Sequence, residues 1–300
     1  MNAAIDVGSN TIRMLIADDA HKSQSSPKYY RQITRLAGDF SEAKGLSDAA
    51  MCRSLDALKS YQKIMSSDSI SRSKIVGTAA LRRARNRDVF LDKVYAATGL
   101  KIEIIDGQEE AFLTTQGVLS VIEPIPDAAI IVDIGGGSTE LTCIIAGHIH
   151  FQQSFPIGVV RLCEEFSSAE ERKKQIERVF KPMTESLQQA CLEGTEYQLI
   201  GTAGTITTLA AIQLRLFEYD ARKINNHVLS FDWMIELQQK LKLMSVSEIE
   251  AITGMEPGRG DLILPGLEIV LFLLNSLQLS SLRVSDSGLL EGLMINLTDS

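Results

Sequence analysis

Asp133-Ile134-Gly135-Gly136-Gly137-Ser138-Thr139-Glu140 decides how this chain reads. A second stretch, Asp6-Val7-Gly8-Ser9-Asn10-Thr11, repeats its plan 127 positions earlier. Each follows an apolar run that reads as a strand, Ala128 to Val132 and Ala3-Ala4-Ile5. Each is followed by another, Leu141 to Ala146 and Ile12 to Ala17. The unit is strand, glycine-rich hairpin, strand, found twice. Glycine lets the backbone approach a ligand with no Cβ in the way. The amides of such a turn form an anion-binding nest, and the Ser and Thr hydroxyls add donors. The Asp at each strand end can hold a divalent cation, directly or through water, beside a phosphate. Either hairpin alone is equally an ordinary turn whose Asp bonds its own backbone. Two copies in one strand context imply a polyphosphorylated ligand clamped between two related domains. No Lys follows the glycines, which excludes the Gly-x-x-x-x-Gly-Lys-Ser/Thr loop. A strand rather than a helix follows, which excludes the dinucleotide Gly-x-Gly-x-x-Gly turn.

Composition sets the frame. A chain of 300 residues is long enough for two domains, each with its own core. An apolar content of 45% and a charged content of 23% are those of an ordinary globular protein. Asp6 and Asn10 interrupt the N-terminal apolar run, which argues against a signal peptide. Leu262 to Leu279 contains Pro265, Gly266, Glu268 and Asn275 and reads as a buried helix rather than a membrane span. Cys52, Cys143, Cys163 and Cys191 form no Cys-x-x-Cys pair. The expectation is free buried thiols in a reducing cytoplasm. Net charge is −8 but uneven: residues 1–123 hold 17 Lys and Arg against 15 Asp and Glu, and residues 124–300 hold 13 against 23. A uniformly basic nucleic-acid binder is excluded, while a local polyanion site in the first half is not.

Both halves alternate strands and helices. Ser47 caps a helix with Met51, Leu55, Leu58 and Met65 on one face. Lys74 to Thr78 reads as a strand entering a loop. A basic helix then starts at Leu81-Arg82-Arg83-Ala84-Arg85 and continues through Val89 to Ala97 until Gly99 stops it. Lys101 to Ile105 is a short strand, Asp106-Gly107 a turn, and Glu109 to Val118 a helix. Pro124 and Pro126 mark the boundary between a domain of residues 1–123 and one of 124–300. In the second half, Ser168-Ala169-Glu170-Glu171 is a capping box. It opens a helix with Ile176, Val179, Phe180, Met183 and Leu187 on one stripe, in which Pro182 predicts a kink or break. Gly194 ends that element. The strand Gln198-Leu199-Ile200 runs into Gly201-Thr202-Ala203-Gly204-Thr205 and a helix through Leu214, a third anion site at a helix N-terminus. Leu282 to Ser285 is a strand. Leu289 to Asn296 is a closing helix, within a segment of about 287–300 that packs back on the first domain.

These residues resemble the exopolyphosphatase and guanosine pentaphosphate phosphohydrolase family, in order along nearly the whole chain. The matching segments are Ala4 to Thr11, Val76 to Arg82, Ile105-Asp106-Gly107-Gln108-Glu109-Glu110-Ala111, Asp133 to Glu140, Phe155 to Leu162, Gly201 to Thr208, and Val284 to Gly292. The glycine-rich loops are shared with the wider actin, sugar-kinase and chaperone ATPase superfamily. The Glu-Glu-Ala and Gly-Thr-x-x-Leu-Arg segments are more specific. The resemblance implies an α/β fold of two ribonuclease-H-like domains, as in actin-like ATPases, facing each other across a cleft. It implies release of terminal phosphate from polyphosphate or guanosine pentaphosphate with Mg2+ or another divalent cation, in the cytoplasm, as in the stringent response. Substrate aside, no nucleic acid or membrane partner is implied, and a homodimer is one option. Three departures stand out, one being the third loop, Gly201-Thr202-Ala203-Gly204-Thr205, a variant of a usually Gly-richer run. Longer relatives carry extra C-terminal helical domains, and Phe112 occupies a place where the family often has Arg.

The resemblance also assigns roles. Glu110 takes the place of the catalytic carboxylate that activates water, and Glu109, its sequence neighbour, points elsewhere on the helix. Both are equally acids favoured by a helix N-terminus. Asp133 is read as a metal or water-positioning group, Glu140 as a supporting catalytic or metal group or else a solvent-facing residue of the next strand, and Asp6 as the first domain's metal-side carboxylate. Ser9 and Asn10 face phosphate. Gly135, Gly136, Gly137, Ser138 and Thr139 cradle the group being cleaved, with Gly204 and Thr205 as the third site. Of Arg82, Arg83, Arg85 and Arg87, Arg82 matches the family's Leu-Arg position and is read as the phosphate contact. The other three read as solvated surface. Arg35, near Gly38, is a weaker candidate. His21, His148, His150 and His227 show no ligand spacing. The rival readings are an ATP-dependent kinase or ATPase of the same superfamily, and a non-catalytic nucleotide-binding protein.

Overall fold

The computed structural model of the chain describes residues 1–18, 27–41, 43–190 and 196–298. The chain divides into two compact units, Met1–Gly117 with Gly288–Ser300, and Val118–Ser287. The first runs β1 (Asn2–Val7), β2 (Thr11–Ala17), β3 (Lys28–Ile33), α1 (Asp48–Ser67), β4 (Arg72–Gly77), α2 (Ala79–Arg83), α3 (Arg87–Thr98), β5 (Glu103–Ile104) and α4 (Gly107–Leu119). The second begins with β6 (Ala128–Ile134), β7 (Thr139–Ile145), β8 (His148–Phe155), α5 (Val159–Glu165) and α6 (Ala169–Ala190). It continues with β9 (Gln198–Thr202), α7 (Ala203–Gln213), α8 (Ala221–Ile224), β10 (Val228–Ser230), α9 (Phe231–Leu241), α10 (Val246–Glu250), α11 (Ile263–Ser276) and β11 (Ser281–Val284). The last helix, α12 (Leu289–Thr298), belongs to the first unit.

The described residues of the first unit form a five-stranded sheet in the order β3-β2-β1-β4-β5, and those of the second a six-stranded sheet, β10-β11-β9-β6-β7-β8. In each, a glycine-rich hairpin starts an antiparallel meander (β1-β2-β3, β6-β7-β8), and parallel strands extend the sheet on the other side. Among the described strands only β10, at the edge of the second sheet, has no counterpart. This is the ribonuclease-H-like plan, built twice.

The core explains why β1 is buried along its whole length. A strand covered on both faces needs apolar residues at both parities. Ala3, Ile5 and Val7 join Leu58, Tyr61, Phe90 and Val94 on the α1 and α3 face. Ala4 joins Leu15, Leu113, Leu289, Leu290 and Leu293 on the face covered by α4 and α12. By strand alternation Asp6 lies on the same face as Ala4. The buried Tyr61 hydroxyl donates to the Ile12 carbonyl at 3.0 Å, tying α1 to β2. Helices α4 and α12 approach at backbone contact, which glycine permits. A Cβ on Gly117 would lie 1.9 Å from the Gly288 carbonyl oxygen, and one on Gly292 would lie 1.9 Å from that of Leu113.

Local signals translate into local structure where side chains act within one turn. Ser47 accepts from the Ala50 amide at 3.3 Å and caps α1. Ser168 and Glu171 exchange both bonds of a capping box, at 3.2 and 3.1 Å. Gly99 ends α3 in the left-handed region, φ 71°. Three expectations need correction. The basic helix is two helices: Ala84 is extended, and the Asn86 side chain exchanges two bonds with the Leu46 backbone, so a contact 40 residues away breaks the turn. The break offered at Pro182 does not occur: α6 continues through it, with Phe180, Met183 and Leu187 buried on either side. Of the cysteines, only Cys143 is buried among those described. Cys52 is exposed on α1, Cys163 is half-buried with its thiol 3.3 Å from the Asp261 carbonyl, and Cys191 lies outside the described residues, as does Gly194. Within the apolar α11, Glu268 is matched by Arg172 of α6 in a two-bond ion pair at 2.7 and 3.0 Å. Among the described residues no helix is long and apolar enough to cross a membrane.

Candidate functional site

The two hairpins share one construction. In each, the first glycine amide closes the turn, Gly8 N to Thr11 O at 3.2 Å and Gly135 N to Ser138 O at 3.0 Å. In each, the loop carbonyls are taken from behind by another segment. The amides of Thr34 and Arg35 donate to Asn10 O and that of Ala37 donates to Ser9 O. The amide of Val159 donates to Gly135 O, and those of Val160 and Arg161 donate to Gly136 O, from the first turn of α5. With their carbonyls satisfied, the loops present their amides. Those of Gly136 and Gly137 have no acceptor among the described residues. That is the arrangement an anion requires. Gly135 differs from its expected role, since its amide is spent on the turn. Thr139 differs too: it is fully buried and donates to the Ile157 carbonyl at 2.7 Å, fixing the loop rather than facing a ligand.

The acidic residues at the strand ends have different neighbours. Asp6 sits opposite Arg13 on the ladder, and Asp133 opposite Glu140. Directly opposed residues share a face of the sheet. Arg13 donates to Asp6 Oδ2 from Nε at 3.1 Å and from Nη2 at 2.7 Å. Asp6 Oδ1, Ser9 Oγ and Asn10 Oδ1 are buried with no hydrogen-bond partner. Buried polar atoms without partners are costly, and these three lie together at the end of β1 and in the turn that follows it. Asp133 and Glu140 are 8% and 3% exposed, two buried carboxylates side by side. Glu140 Oε1 accepts from Ser154 Oγ at 2.6 Å, across the next strand pair. Among the described residues no three His, Cys, Asp or Glu side chains cluster to hold a metal. Magnesium, however, is usually bound by one or two carboxylates together with substrate phosphates. The oxygen-only pair Asp133 and Glu140, and separately the spare oxygen of Asp6, fit that chemistry.

Glu110 is placed by its helix start. Asp106 Oδ1 accepts from the amides of Gln108 and Glu109, at 2.9 and 2.8 Å, and caps α4. Glu110 falls in the first turn, 8% exposed, while Glu109 is exposed and pairs loosely with Lys74 at 3.7 Å. Arg82 Nη1 donates to Glu110 Oε2 at 2.5 Å and to the Ile105 carbonyl at 3.1 Å. The arginine read as a phosphate contact is therefore bonded to the carboxylate read as the base. Arg83 stacks over the Phe40 ring at 4.7 Å, and Arg85 and Arg87 are exposed. Phe112 is exposed.

The third loop departs most from expectation. Ala203 opens α7 with φ 70°, a left-handed conformation that costs a residue with a Cβ about 1–2 kcal/mol. Thr205 is buried with its side chain packed on Gly266 of α11, so it does not face a ligand. Gly204 is covered by the Arg259 guanidinium: a Cβ there would lie 2.1 Å from its Nη2. Arg259 donates from Nε to Glu256 Oε2 at 2.5 Å. No sequence pattern singles out Arg259, because it reaches α7 from 55 positions away. The same holds for residues 34–37, whose role is carried by backbone amides. Arg35 itself is held at φ 47° beside the first loop. His148 and His150 are exposed. His227 lies 2.6 Å from Gln213 Oε1, with burial lowering its pKa, and His21 is outside the described residues.

Residues 19–300 match the Ppx/GppA phosphatase family. The chain is similar to a protein from Mycobacterium tuberculosis named exopolyphosphatase 2, at 30% identity covering 98% of each chain. It is 31% identical, over 98% of its length, to a bifunctional 3-dehydroquinate synthase/phosphatase of Fusobacterium nucleatum, and covers 46% of that relative. It thus spans about half of one relative and nearly all of the other. The crystal structure of an exopolyphosphatase from Cytophaga hutchinsonii is similar over 99% of this chain and 97% of that one, with a TM-score of 0.90 and 27% identity. With the hairpin built twice on two like sheets, the family match over residues 19–300 and a 30% identical relative covered over 98% of each chain, the chain belongs to the Ppx/GppA phosphatase family.

Proposed function

We propose that this chain is a phosphoanhydride hydrolase that releases terminal phosphate from inorganic polyphosphate or guanosine pentaphosphate. The observation that carries the reading is the buried Glu110 carboxylate, bonded to Arg82 at the start of α4. A carboxylate held in one orientation is suited to accept a proton from an attacking water. The exposed Glu109 is not so held. The amides of Gly136 and Gly137, with Ser138, receive the phosphate being cleaved, and Ser9 and Asn10 offer further polar contacts. Phosphoryl transfer is catalysed mainly by positioning and charge stabilisation, which such amides provide at no reorganisation cost. Asp133, with Glu140 beside it, would hold a magnesium ion, which would supply positive charge to the phosphate oxygens. In the first unit, Asp6 Oδ1 is the carboxylate oxygen left for the same purpose. Thr139 and Thr205 act on the shape of their loops.

The test is phosphate release from polyphosphate, guanosine pentaphosphate and ATP, each with magnesium and with a chelator in excess. Release from either of the first two with no ATP present, abolished by the chelator, is the expected result. Hydrolysis of ATP with neither of the other substrates attacked would replace this reading by the ATPase one.

A further inference from the structure

Behind each hairpin a row of side chains crosses the meander. Directly opposed residues share a face of the sheet, so Asp133 on β6, Glu140 on β7 and Ser154 on β8 line up on one side of the second sheet. The matching row of the first sheet is Asp6, Arg13 and Arg31. In that row the ladder neighbour holds the carboxylate, since Arg13 donates twice to Asp6 Oδ2. The second row is built otherwise, because the ladder neighbour of Asp133 is itself an acid. There a donor stands one strand further out. Ser154 Oγ donates to Glu140 Oε1 at 2.6 Å, the length expected of a hydroxyl on a carboxylate. A serine hydroxyl has one proton to give, and Glu140 takes it. The side chain is short, so the bond ties Glu140 closely to the backbone of β8. That strand lies at the edge of its sheet, but its end is pinned. Phe155 is buried, with its ring centroid 5.0 Å from that of Phe180 on α6. Successive strand residues point to opposite faces. Phe155 therefore anchors β8 on the α6 side, and Ser154 is presented to Glu140 on the other. The long, buried Glu140 side chain is thus gripped from the β8 side while Asp133 stands beside it on β6.

We infer that Ser154 is a positioning residue of the second hairpin, holding the Glu140 carboxylate in the orientation in which it shares a divalent cation with Asp133. The inference rests on the cation reading of that pair given above. The measurements are Mn2+ binding to the protein without substrate, followed by the electron paramagnetic resonance of the free ion, and crystal structures of the variants. Asp133→Asn identifies the part of the binding that belongs to this row. Ser154→Ala should weaken that part by about 10- to 100-fold, the usual cost of losing a group that orients a metal ligand. Ser154→Thr keeps the hydroxyl on a residue suited to a strand and should bind within about threefold of wild type. Gln153→Ala, on the opposite face of the same strand, should leave the binding unchanged. In phosphate release from polyphosphate, Ser154→Ala should need about 10- to 100-fold more magnesium to reach half its maximal rate. Its KM for polyphosphate at saturating magnesium should stay within about twofold. In the Ser154→Ala crystal the Glu140 carboxylate should be rotated from its wild-type orientation. Unchanged Mn2+ affinity in Ser154→Ala, equal weakening in Ser154→Thr, or a Glu140 carboxylate that stays in place would overturn the inference. Should Ser154→Ala fail to fold, Ser154→Cys keeps the shape with only a weak donor. It should show the same loss, and wild-type affinity there would overturn the inference. If the wild-type protein binds no Mn2+, or Asp133→Asn binds it equally well, the cation reading fails, and the orientation of Glu140 in the variant crystal alone decides the role of Ser154.

Discussion

Arg82→Ala separates two roles for one arginine. As a phosphate contact alone, Arg82 would contribute uniform binding, and its loss would raise KM with kcat unchanged. Its geometry predicts otherwise. Arg82 Nη1 serves both Glu110 Oε2, at 2.5 Å, and the Ile105 carbonyl, at 3.1 Å. The side chains are 21% and 10% exposed, between a surface pair worth about 0–1 kcal/mol and a buried one whose breakage costs about 3–5 kcal/mol. About 2 kcal/mol is the reasonable figure for the pair. The Ile105 carbonyl adds about 0.5–1 kcal/mol. The first unit should therefore lose roughly 2–3 kcal/mol, or about 8–12 °C in melting temperature for a domain of its size. Glu110, released from its partner, loses the orientation that makes it a base. A misplacement near 1 Å costs about 100-fold in rate, so kcat should fall by about that factor. Arg82→Lys keeps a charge but not the planar donor and should recover part of both losses. Steady-state phosphate release and thermal unfolding of the three proteins give the answer. A raised KM with unchanged kcat and melting temperature would refute the reasoning and return Arg82 to the substrate.

Three further outcomes follow from the geometry. Glu110→Gln should lower kcat by about 10²–10⁴ while polyphosphate still binds by calorimetry, and Glu109→Gln should retain most activity. A near wild-type rate for Glu110→Gln would move the base to Glu140 or Asp133. Gly292→Ala places a methyl 1.9 Å from the Leu113 carbonyl oxygen and should cost at least about 1–3 kcal/mol in denaturant unfolding. Equal stability would mean that α4 and α12 do not touch as described. Burial lowers the His227 pKa below its usual 6.5, so the folded state favours neutral imidazole and the unfolded state binds more protons below that pH. Its contribution to stability is full above about pH 6.5 and falls as pH drops through the folded pKa. His227→Gln should flatten the difference in unfolding free energy between pH 7.5 and pH 5.5, and an unchanged difference would remove His227 from the acid response.

The sequence by itself determined whatever chemistry needs within a few residues. The Gly-Gly-Gly-Ser hairpin after an apolar strand, the Ser47 cap, the Ser168 and Glu171 box and the Gly99 stop are all read locally, because each is closed by bonds inside one turn. The repeat of the hairpin was enough to expect two like α/β halves, since a strand buried on both faces and followed by a glycine turn leaves few other placements. Tertiary structure alone decided who stands behind each group. Arg82 and Glu110 are 28 positions apart, Arg259 and Gly204 are 55, and Asn86 and Leu46 are 40. No spacing rule links residues so distant, because the pairing is set by which helix covers which face of the sheet. The support of the loops by residues 34–37 and 159–161 was illegible for another reason. It is made by backbone amides, which every sequence carries, and only the fold aims them. The same holds for Thr139 and Thr205, whose composition suits a phosphate but whose hydroxyl and methyl were turned inward by neighbours the sequence does not name.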